Sequence, residues 1–369
     1  MSTEHEEDLR LLRDSVSTLL DRAGGVARAR RVRDEGKGRD NDVWRELAEA
    51  GVLGVATPEN AGGLGMGLSA AGVIAEEVGR VIAPEPVVPT LAMAIGLLHR
   101  TCPDVPVLAA LIAGETTLAV AWQERDLRGV SETIDCRFVG GKLTGSKDWI
   151  MGHADGAPLL VIAKMDDGLA LVQVAGDAKG VTAKSARQSD GSAQYSISFA
   201  ATPASVLAEG PLVAAALSEA VADATALTAA ELLGLSGAAL ELTLEYIKTR
   251  EQFDKPIGSF QVIQHRAVDM KIMQEIAEAA VREALTVMDN AATPLVRLRQ
   301  ASRAKARACT AAQQITRESI QLHGAVGYTD EFDVGLLLNR ALVLSAWLGD
   351  AAYHRRRWLE IRDTEEAAQ

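Results

Sequence analysis

From Pro211 to the end of the 369-residue sequence, only two further prolines occur, Pro256 and Pro294. This part of the sequence contains four alanine- and leucine-rich stretches in which apolar residues recur with a period near 3.6, at 212–249, 261–292, 294–322 and 334–362. Because proline interrupts a helix and this period gathers apolar side chains on one face, each stretch predicts a long helix. We therefore expect residues 208–369 to form a C-terminal four-helix bundle.

The two preceding blocks differ from each other in pattern. In residues 1–115, apolar side chains recur at helical spacing, as in Leu9, Leu12 and Val16, which predicts an N-terminal α-helical domain. In residues 116–207, short apolar runs are separated by turn sequences such as Gly140-Gly141. This spacing is typical of strands joined by hairpins, and it predicts a small antiparallel β domain in the middle of a mainly α protein.

Composition excludes several functional classes. Lys and Arg number 38 against 50 Asp and Glu, a formal net charge of −12, so the surface has no electrostatic reason to bind nucleic acid. No run approaches about 18 uninterrupted apolar residues, and we expect no membrane span. The acidic N-terminus and three scattered cysteines predict a cytoplasmic protein with reduced thiols. The six histidines are also dispersed, and no metal site is expected.

Three stretches carry a specific resemblance. They are Trp44–Glu59 followed by Glu76–Arg80, then Leu143–Ile150, and then Arg250–Gln261 followed by Gln321–Tyr328. In this order and at these distances they resemble the acyl-CoA dehydrogenase family across nearly the whole chain. The resemblance implies an α-helical N-terminal domain, a β-barrel middle domain and a C-terminal four-helix bundle. It also implies FAD as cofactor and an acyl-CoA thioester as substrate, from which a hydride leaves Cβ while a carboxylate removes the Cα proton.

The expected catalytic base is missing from this sequence. Leu348 occupies the place of the family's usual glutamate, and leucine cannot accept a proton. Ala224 occupies the alternative position that a minority of members use, on the first bundle helix. Its neighbour Asp223 is a weak candidate, because one step along a helix turns the side chain by about 100°, and we expect it to be a solvated or capping residue. Asp350 is expected on the opposite side of a helix from position 348.

The β domain also departs from the family pattern. The sequence Gln123–Val130 stands where the family has Thr-Glu-Pro-x-x-Gly-Ser-Asp. Met151 replaces the threonine or serine that hydrogen-bonds flavin N5 in the family, and methionine has no donor. Trp149 remains, and either stacking on a ring or packing in the core accounts for it equally well.

The segments that reach a partner's cofactor in the family are retained. In the family, these residues cross the dimer interface to the ADP half of the partner's FAD. The predicted contacts are Arg250, Gln252, Phe253, Gln261, Gln321, Gly324 and Ala325. Arginine offers a fork for pyrophosphate oxygens and glutamine offers an amide. Ala325 is a departure, since the family prefers glycine there for close backbone approach.

The retained part and the lost part belong to different sites. The half-site lent to a partner is kept, and the site built from the chain's own β domain and base is eroded. We therefore interpret the chain as one subunit of a heteromeric acyl-CoA dehydrogenase, resembling the base-lacking subunit of actinobacterial α2β2 enzymes that act on CoA thioesters of steroid side chains. A second family member would supply the base and the isoalloxazine pocket, and an electron-transfer flavoprotein or similar acceptor would take the electrons.

Three alternatives remain open from the sequence. The first is a self-sufficient homotetrameric dehydrogenase whose base is Asp223 or Asp350. The second is a flavin oxidase or monooxygenase on the same fold, which explains Leu348 but not the loss of the N5 donor. The third is a helical scaffold without flavin, against which the retained Arg250, Phe253 and Gln261 argue.

Overall fold

The computed structural model describes residues 3–124, 134–290 and 292–367. Its first part is helical, as predicted. The helices are α1 Thr3–Arg22, α2 Gly25–Asp34, α3 Asn41–Glu49, α4 Gly67–Arg80, a π-helix Pro89–Ile95, α5 Gly96–Thr101 and α6 Pro106–Ile112. Asp40 begins α3, because its carboxylate accepts hydrogen bonds from the backbone N–H groups of Asp42 and Val43.

The described residues of the middle part form one eight-stranded sheet. Its strands are β1 Ala119–Ala121, β2 Arg137–Val139, β3 Lys142–Ile150, β4 Leu159–Met165, β5 Gly168–Val174, β6 Val181–Arg187, β7 Ala193–Pro203 and β8 Ser205–Glu209. The order is β6-β7-β3-β2-β4-β5-β8, with β1 paired to β4. Most pairs are antiparallel, but β1 and β2 both run parallel to β4.

The predicted closed barrel is wrong for the described strands. The sheet is open and ends at β6 and β8, which do not pair with each other. Six of the seven residues of β6 are exposed, as befits an edge strand. Apolar runs and hairpin turns predict strands and local pairing, but closure depends on whether the two terminal strands meet, and no local pattern records that.

The C-terminal part is again helical, with α7 Pro211–Thr249, α8 Gln261–Asp289, α9 Pro294–His323, α10 Val334–Ala346 and α11 Ala351–Ala367. Between α7 and α8 lies a small hairpin of β9 Glu251–Gln252 and β10 Lys255–Pro256. The predicted helix over 334–362 is wrong in one respect, because it is broken between Ala346 and Ala351. Leu348 and Gly349 have φ values of 62° and 107°, which no right-handed helix accommodates.

The described chain divides into two compact units. One comprises Met1–Arg31, Gly72–Ala83 and Thr225–Gln369, and the other comprises Val32–Ala71 and Pro84–Ala224. Helix gives way to strand between Ile112 and Ala119, and strand to helix between Glu209 and Pro211. The domain boundaries at 115/116 and 207/208 stay predictions.

In the first unit, α4 and α7 are in contact through glycines. A Cβ atom at Gly79 would lie 2.1 Å from the carbonyl oxygen of Glu231, and one at Gly234 would lie 1.9 Å from that of Glu76. Only glycine allows the two backbones to come this close. Salt bridges surround this contact, since Arg13 binds both Glu76 and Glu77 and Arg340 binds Glu231.

Two helical stretches, Pro211–Thr249 and Val334–Thr364, are long and apolar enough by composition to cross a membrane. In the protein, 72% of the most apolar window of the first and 50% of that of the second are buried. The second is also interrupted at Leu348 and Gly349. Their apolar composition is accounted for by core packing, and the absence of a membrane span stays a prediction.

Candidate functional site

The hairpin after α7 presents a strained aromatic side chain to solvent. Gln252 pairs with Lys255, so Phe253 and Asp254 form a two-residue turn, with φ values of 54° and 61°. Such type I′ turns normally contain asparagine and glycine, because a side chain is disfavoured at positive φ. Phe253 is nevertheless 86% exposed. A strained, exposed aromatic residue is typical of a binding surface.

Arg250 lies at the base of this hairpin. Its backbone N–H donates to the carbonyl oxygen of Tyr246 at 2.8 Å, and its carbonyl oxygen accepts from Ile257 N–H at 2.8 Å. These two bonds fix its backbone. The Arg250 side chain is exposed and has no hydrogen-bond or ion-pair partner among the described residues, so its guanidinium is available to an anion.

An aromatic cluster joins the end of α7 to the end of α9. The rings of Tyr246 and His323 stack at 4.3 Å, and Tyr246 Oη donates to the carbonyl oxygen of His323 at 3.2 Å. Phe332 packs on both rings at centroid distances of 5.8 and 5.2 Å. The cluster therefore brings the Arg250 hairpin and the Gln321–Tyr328 segment to the same end of the bundle.

His323 has an unused polar atom at this place. Its Nδ1 donates to the carbonyl oxygen of Ser319 at 2.7 Å, and its Nε2 is buried with no partner among the described residues. Burial lowers the pKa of His323 below its ordinary value, so the ring is neutral and Nε2 is an acceptor. A buried acceptor of this kind calls for a hydrogen-bond donor from outside the described chain.

The other predicted cofactor contacts lie on the surface of the same unit. Gln252, Gln261, Gln321 and Ala325 are exposed. Gly324 ends α9 with φ 66° and ψ −139°, and a Cβ atom there would meet nothing within 4 Å. A ligand can therefore approach this backbone closely. The methyl group of Ala325 faces the exterior, where glycine would have left more room.

Position 348 lies in a rigid loop, not in a helix as predicted. Lys305, on α9, is fully buried. Its Nζ donates to the carbonyl oxygens of Leu344, Trp347 and Gly349 at 2.9, 2.6 and 3.3 Å. Lys305 thereby supplies the donors that the end of α10 lacks. Burial lowers the pKa of Lys305, while nearby negative groups act in the opposite direction.

His354 fixes the same loop from α11. Its Nε2 donates to the carbonyl oxygen of Leu348 at 3.1 Å, and its Nδ1 accepts from Ser302 Oγ at 3.2 Å. Burial and the charges of Lys305 and Arg357 lower the pKa of His354 to about 3. The side chain held here is Leu348, 5% exposed, which has no acid–base chemistry.

Asp350 and Asp223, the two candidate bases, both take part in interactions within the chain. Asp350 Oδ1 accepts from Tyr353 N–H at 2.7 Å and thereby caps α11. The expectation that it lies across a helix from position 348 is wrong, because 348–350 is the loop that precedes the helix. Asp223 is 3% exposed and Ala224 is fully buried. The expectation of a solvated or capping Asp223 is also wrong, because Asp223 is paired with Arg100 at 2.5 Å.

In the β domain, Trp149 is not a core residue. The pairing of β3 with β7 shifts register between Lys147 and Ile150, and within this bulge Trp149 has φ 60° and is 48% exposed. A bulge changes the direction of a strand side chain, and the positive φ at this bulky residue is strained. Met151 is buried, and its sulfur accepts from Gln188 Nε2 at 3.5 Å.

The sequence Gln123–Val130 lies largely outside the described residues, since 125–133 are not described. Glu124 is described and is bound from two sides. It accepts from the fully buried Lys147 at 2.7 Å and from the backbone N–H groups of Asp135 and Cys136 at 2.9 and 3.1 Å. Glu124 is thereby bound to Asp135 and Cys136, and Lys147 binds it from β3.

Sequence reasoning missed three buried groups: Lys147, Lys305 and His354. One signal was present for Lys305, which occupies an inward position of a periodic apolar stretch beside Ala301, Ala304 and Ala308. A lysine at such a position indicates a buried cation with specific acceptors. His354 binds the Leu348 carbonyl oxygen and the Ser302 hydroxyl, and Lys147 binds Trp122 and Glu124; no local pattern gave a signal for either residue.

These residues fit the nucleotide half of FAD. Arg250 offers a guanidinium without a partner among the described residues, Gln321 an exposed amide, His323 an unused acceptor, and Gly324 an open backbone. A phosphate-containing ligand that also carries ribose hydroxyls and a flat base needs a cation, amide groups and an aromatic face. Phe253 supplies that face at the hairpin tip.

Comparisons with known proteins cover the same regions. The model of the acyl-CoA dehydrogenase N-terminal domain matches residues 6–102, and that of the C-terminal domain matches residues 214–360. The chain is 30% identical over 338 residues to acyl-CoA dehydrogenase IpdE2 of Mycobacterium tuberculosis, covering 91% of each chain.

Two solved structures have the same fold over nearly the whole chain. One is described as a variant of the Tcur3481-Tcur3483 steroid ACAD, with TM-score 0.87, 31% identity, and coverage of 99% of this chain and 100% of that one. The other is the ChsE4-ChsE5 complex from Mycobacterium tuberculosis, with TM-score 0.85, 25% identity, and coverage of 100% and 98%. Both domain models match, and a relative at 30% identity spans 91% of the sequence, so the chain belongs to the acyl-CoA dehydrogenase family of FAD-dependent oxidoreductases.

Proposed function

We propose that this chain is one subunit of a heteromeric acyl-CoA dehydrogenase. It lends the ADP-side contacts to an FAD whose isoalloxazine pocket and catalytic base belong to a partner subunit. The observation that carries the proposal is the contrast between two sites. The Arg250 hairpin keeps a guanidinium with no partner among the described residues and an exposed aromatic ring, whereas position 348 holds a buried leucine.

The residues at and beside the two family base positions support an assignment of the base to the partner subunit. A base must be an ionisable group with a free lone pair near the substrate. Leu348 and Ala224 have no such group, Asp350 caps a helix, and Asp223 is held by Arg100. Each carboxylate next to the family positions is thus already engaged in a structural interaction.

The residues of the half-site are the second argument for the proposal. Arg250 would neutralise charge on the diphosphate of FAD, Gln321 and Gln261 would hydrogen-bond its polar groups, and Phe253 would offer an aromatic face to its adenine. FAD, when bound, supplies the acceptor for the hydride that leaves Cβ of the acyl-CoA. The partner's base takes the Cα proton, and a flavoprotein of the electron-transfer type removes the two electrons.

The relatives indicate a class of substrate. One solved structure is described as a steroid ACAD with a paired name, and another as a complex of two named chains. We extend these descriptions to this chain as a proposal, an α2β2 assembly whose acyl-CoA substrate carries a steroid-type acyl group.

One observation favours a second candidate. Trp149 is strained and half exposed in the chain's own β domain, as an aromatic platform for a flat ring would be. A self-sufficient flavoprotein with its own isoalloxazine site would use it. Met151 weakens this alternative, because its thioether cannot donate a hydrogen bond.

The visible absorption spectrum and the solution mass separate the two candidates. The chain is purified alone, and again after co-expression with a family member that has an intact glutamate base. We expect a preparation without flavin in the first case and a yellow heterotetramer in the second. A yellow homotetramer with about one FAD per chain would contradict the proposal. It would show that copies of this chain alone form a complete FAD site.

A matched pair of variants tests the half-site itself. Arg250→Ala removes the guanidinium at the hairpin. Arg307→Ala removes another exposed arginine without a described partner, about 21 Å along α9 from Gln321. We expect Arg250→Ala to release FAD from the heterocomplex and Arg307→Ala to retain it. Equal FAD content in the two variants would contradict the assignment of Arg250.

A further inference from the structure

Arg30, on α2, is bound to the loop that follows the proposed half-site. Its Nη2 lies 2.7 Å from Asp333 Oδ1, and its Nη1 lies 3.0 Å from Asp330 Oδ1. The same Nη1 donates to the backbone carbonyl oxygen of Asp330. One guanidinium thus binds two carboxylates and a backbone group about 300 residues away in the sequence. The Arg30 side chain is 22% exposed, less than either aspartate.

The segment that Arg30 holds is continuous with the half-site. Gln321 and Gly324 lead into the 3-10 turn Gly324–Tyr328, and the Asp330–Asp333 loop follows directly. Within this loop, Phe332 packs on Tyr246 and His323. The loop is therefore fixed from two directions, by aromatic packing against α7 and α9 and by ion pairs from α2.

The turn is packed in its middle and open at its ends: Gly327 is buried, and a Cβ atom there would lie 2.7 Å from the carbonyl oxygen of Ile320. Gly324 has no side chain and an open surrounding, and Tyr328 is 77% exposed. A turn that begins with glycine and is open at its ends loses conformational entropy when a ligand orders it. This loss is smaller if the segment that follows the turn is already fixed. The ion pairs of Arg30 provide that fixation.

The charge of Arg30 also favours binding of a diphosphate at this surface. Asp330 and Asp333 place two negative charges beside a surface that we assign to a diphosphate. Without a nearby cation they would repel it, and partial exposure of the loop would leave that repulsion only partly screened. Arg30 offsets this negative charge, because its guanidinium is paired with both carboxylates.

We propose that Arg30 is a positioning residue for the cofactor half-site. It does not touch the cofactor, and it preorganises the Gly324–Tyr328 turn and neutralises Asp330 and Asp333. This inference rests on the proposed function, because it assumes that the turn binds the ADP part of FAD.

The test measures FAD affinity of the heterocomplex by flavin fluorescence, in variants with altered charge at Arg30. Arg30→Gln is expected to weaken FAD binding about three- to fivefold at low salt, the size expected for partly exposed ion pairs. At 1 M salt, where the screening length is about 3 Å, the ratio to wild type is expected to fall toward one. Arg30→Lys should recover part of the affinity, since it keeps the charge and loses the fork.

The matched control is Arg10→Gln on α1, where Arg10 pairs with Glu7 at 3.4 Å in a more exposed ion pair. It should leave FAD affinity unchanged. Hydrogen exchange of the chain alone gives a second readout. Amides of 325–333 should exchange faster in Arg30→Gln, while those in the middle of α9 should not.

The outcomes separate this inference from the proposed function. FAD affinity within twofold of wild type in Arg30→Gln, together with unchanged exchange at 325–333, would overturn the role of Arg30 while Arg250→Ala still released FAD. If Arg250→Ala also retained FAD, the half-site assignment itself would be wrong. Faster exchange throughout the unit would indicate a general structural role and would likewise overturn the inference.

Discussion

Asp223 and Arg100 form a nearly buried ion pair, with Asp223 Oδ2 2.5 Å from Arg100 Nη2. Arg100 also binds Glu219 at 3.1 Å and donates to the carbonyl oxygen of Gly96 at 2.8 Å. The carboxylate closest in sequence to the alternative base position is thus part of a structural network. Its oxygen Oδ2 is already engaged by the guanidinium of Arg100.

Asp223→Asn is therefore expected to leave turnover of the heterocomplex near that of wild type. It should lower the free energy of unfolding by about 2 kcal/mol, since the largely buried guanidinium of Arg100 loses one of the two carboxylates that pair with it. Steady-state kinetics and denaturant unfolding measure the two effects separately. A loss of rate of a hundredfold or more in a folded variant would identify Asp223 as a base and contradict the proposed function.

The glycine contact between α4 and α7 predicts a large effect of one methyl group. Gly79→Ala and Gly234→Ala each place a Cβ atom about 2 Å from a backbone carbonyl oxygen of the other helix. The two helices must separate, and we expect a loss of about 2–4 kcal/mol in the free energy of unfolding.

The control for this prediction is Gly38→Ala, because a Cβ atom there meets nothing within 4 Å. That change should be neutral or stabilise the protein by up to about 1 kcal/mol through the unfolded state. Chemical denaturation measures all three. If Gly79→Ala and Gly38→Ala had the same midpoint, the helices would not be in the contact described.

His354 predicts a dependence of stability on pH. Its pKa is about 3 in the folded protein, against an ordinary value of 6.5. As the pH falls below about 6.5, the unfolded chain binds a proton at His354 that the folded chain excludes. The free energy of unfolding should therefore decrease between about pH 6.5 and 3, by an amount on the order of 4 kcal/mol in total.

His354→Gln should make this decrease shallower, by at most about 1.4 kcal/mol per pH unit. The control is His265→Gln, because His265 is exposed on α8. Urea unfolding at several pH values measures the slopes. If the wild type and His354→Gln had the same slope, His354 would titrate normally in the folded protein.

Phe253 predicts opposite effects on stability and binding. Phe253→Gly removes a side chain from a left-handed backbone position, and should stabilise the isolated chain by about 1 kcal/mol. The same change should weaken FAD binding by the heterocomplex several-fold, because the exposed ring is lost.

Asp254→Gly is the matched variant, since Asp254 has φ 61° in the same turn and its substitution keeps the aromatic ring. It should stabilise the chain similarly without loss of FAD affinity. Thermal unfolding and FAD titration measure the pair. A Phe253→Gly variant with unchanged FAD affinity would show that the strain at Phe253 has another cause.

The bundle and the middle sheet could be predicted because their signals are local. Each predicted C-terminal stretch began close to an observed helix start, since proline and apolar period act on neighbouring residues. The break at Leu348 could not be predicted. It depends on Lys305 and His354, which bind the loop carbonyls from other helices. Likewise, the open sheet depends on whether β6 and β8 meet, and strand patterns do not encode that.

For the site, the sequence by itself determined the chemistry available. It showed an arginine and glutamines at the family's cofactor positions and no ionisable group at its base positions. Tertiary structure decided which of these groups are free. Packing of Tyr246 on His323 joins two distant segments, Arg100 engages Asp223, and Arg30 binds Asp330 and Asp333. Whether a charged side chain is free or paired depends on what folds against it, and those partners lie far away in the sequence.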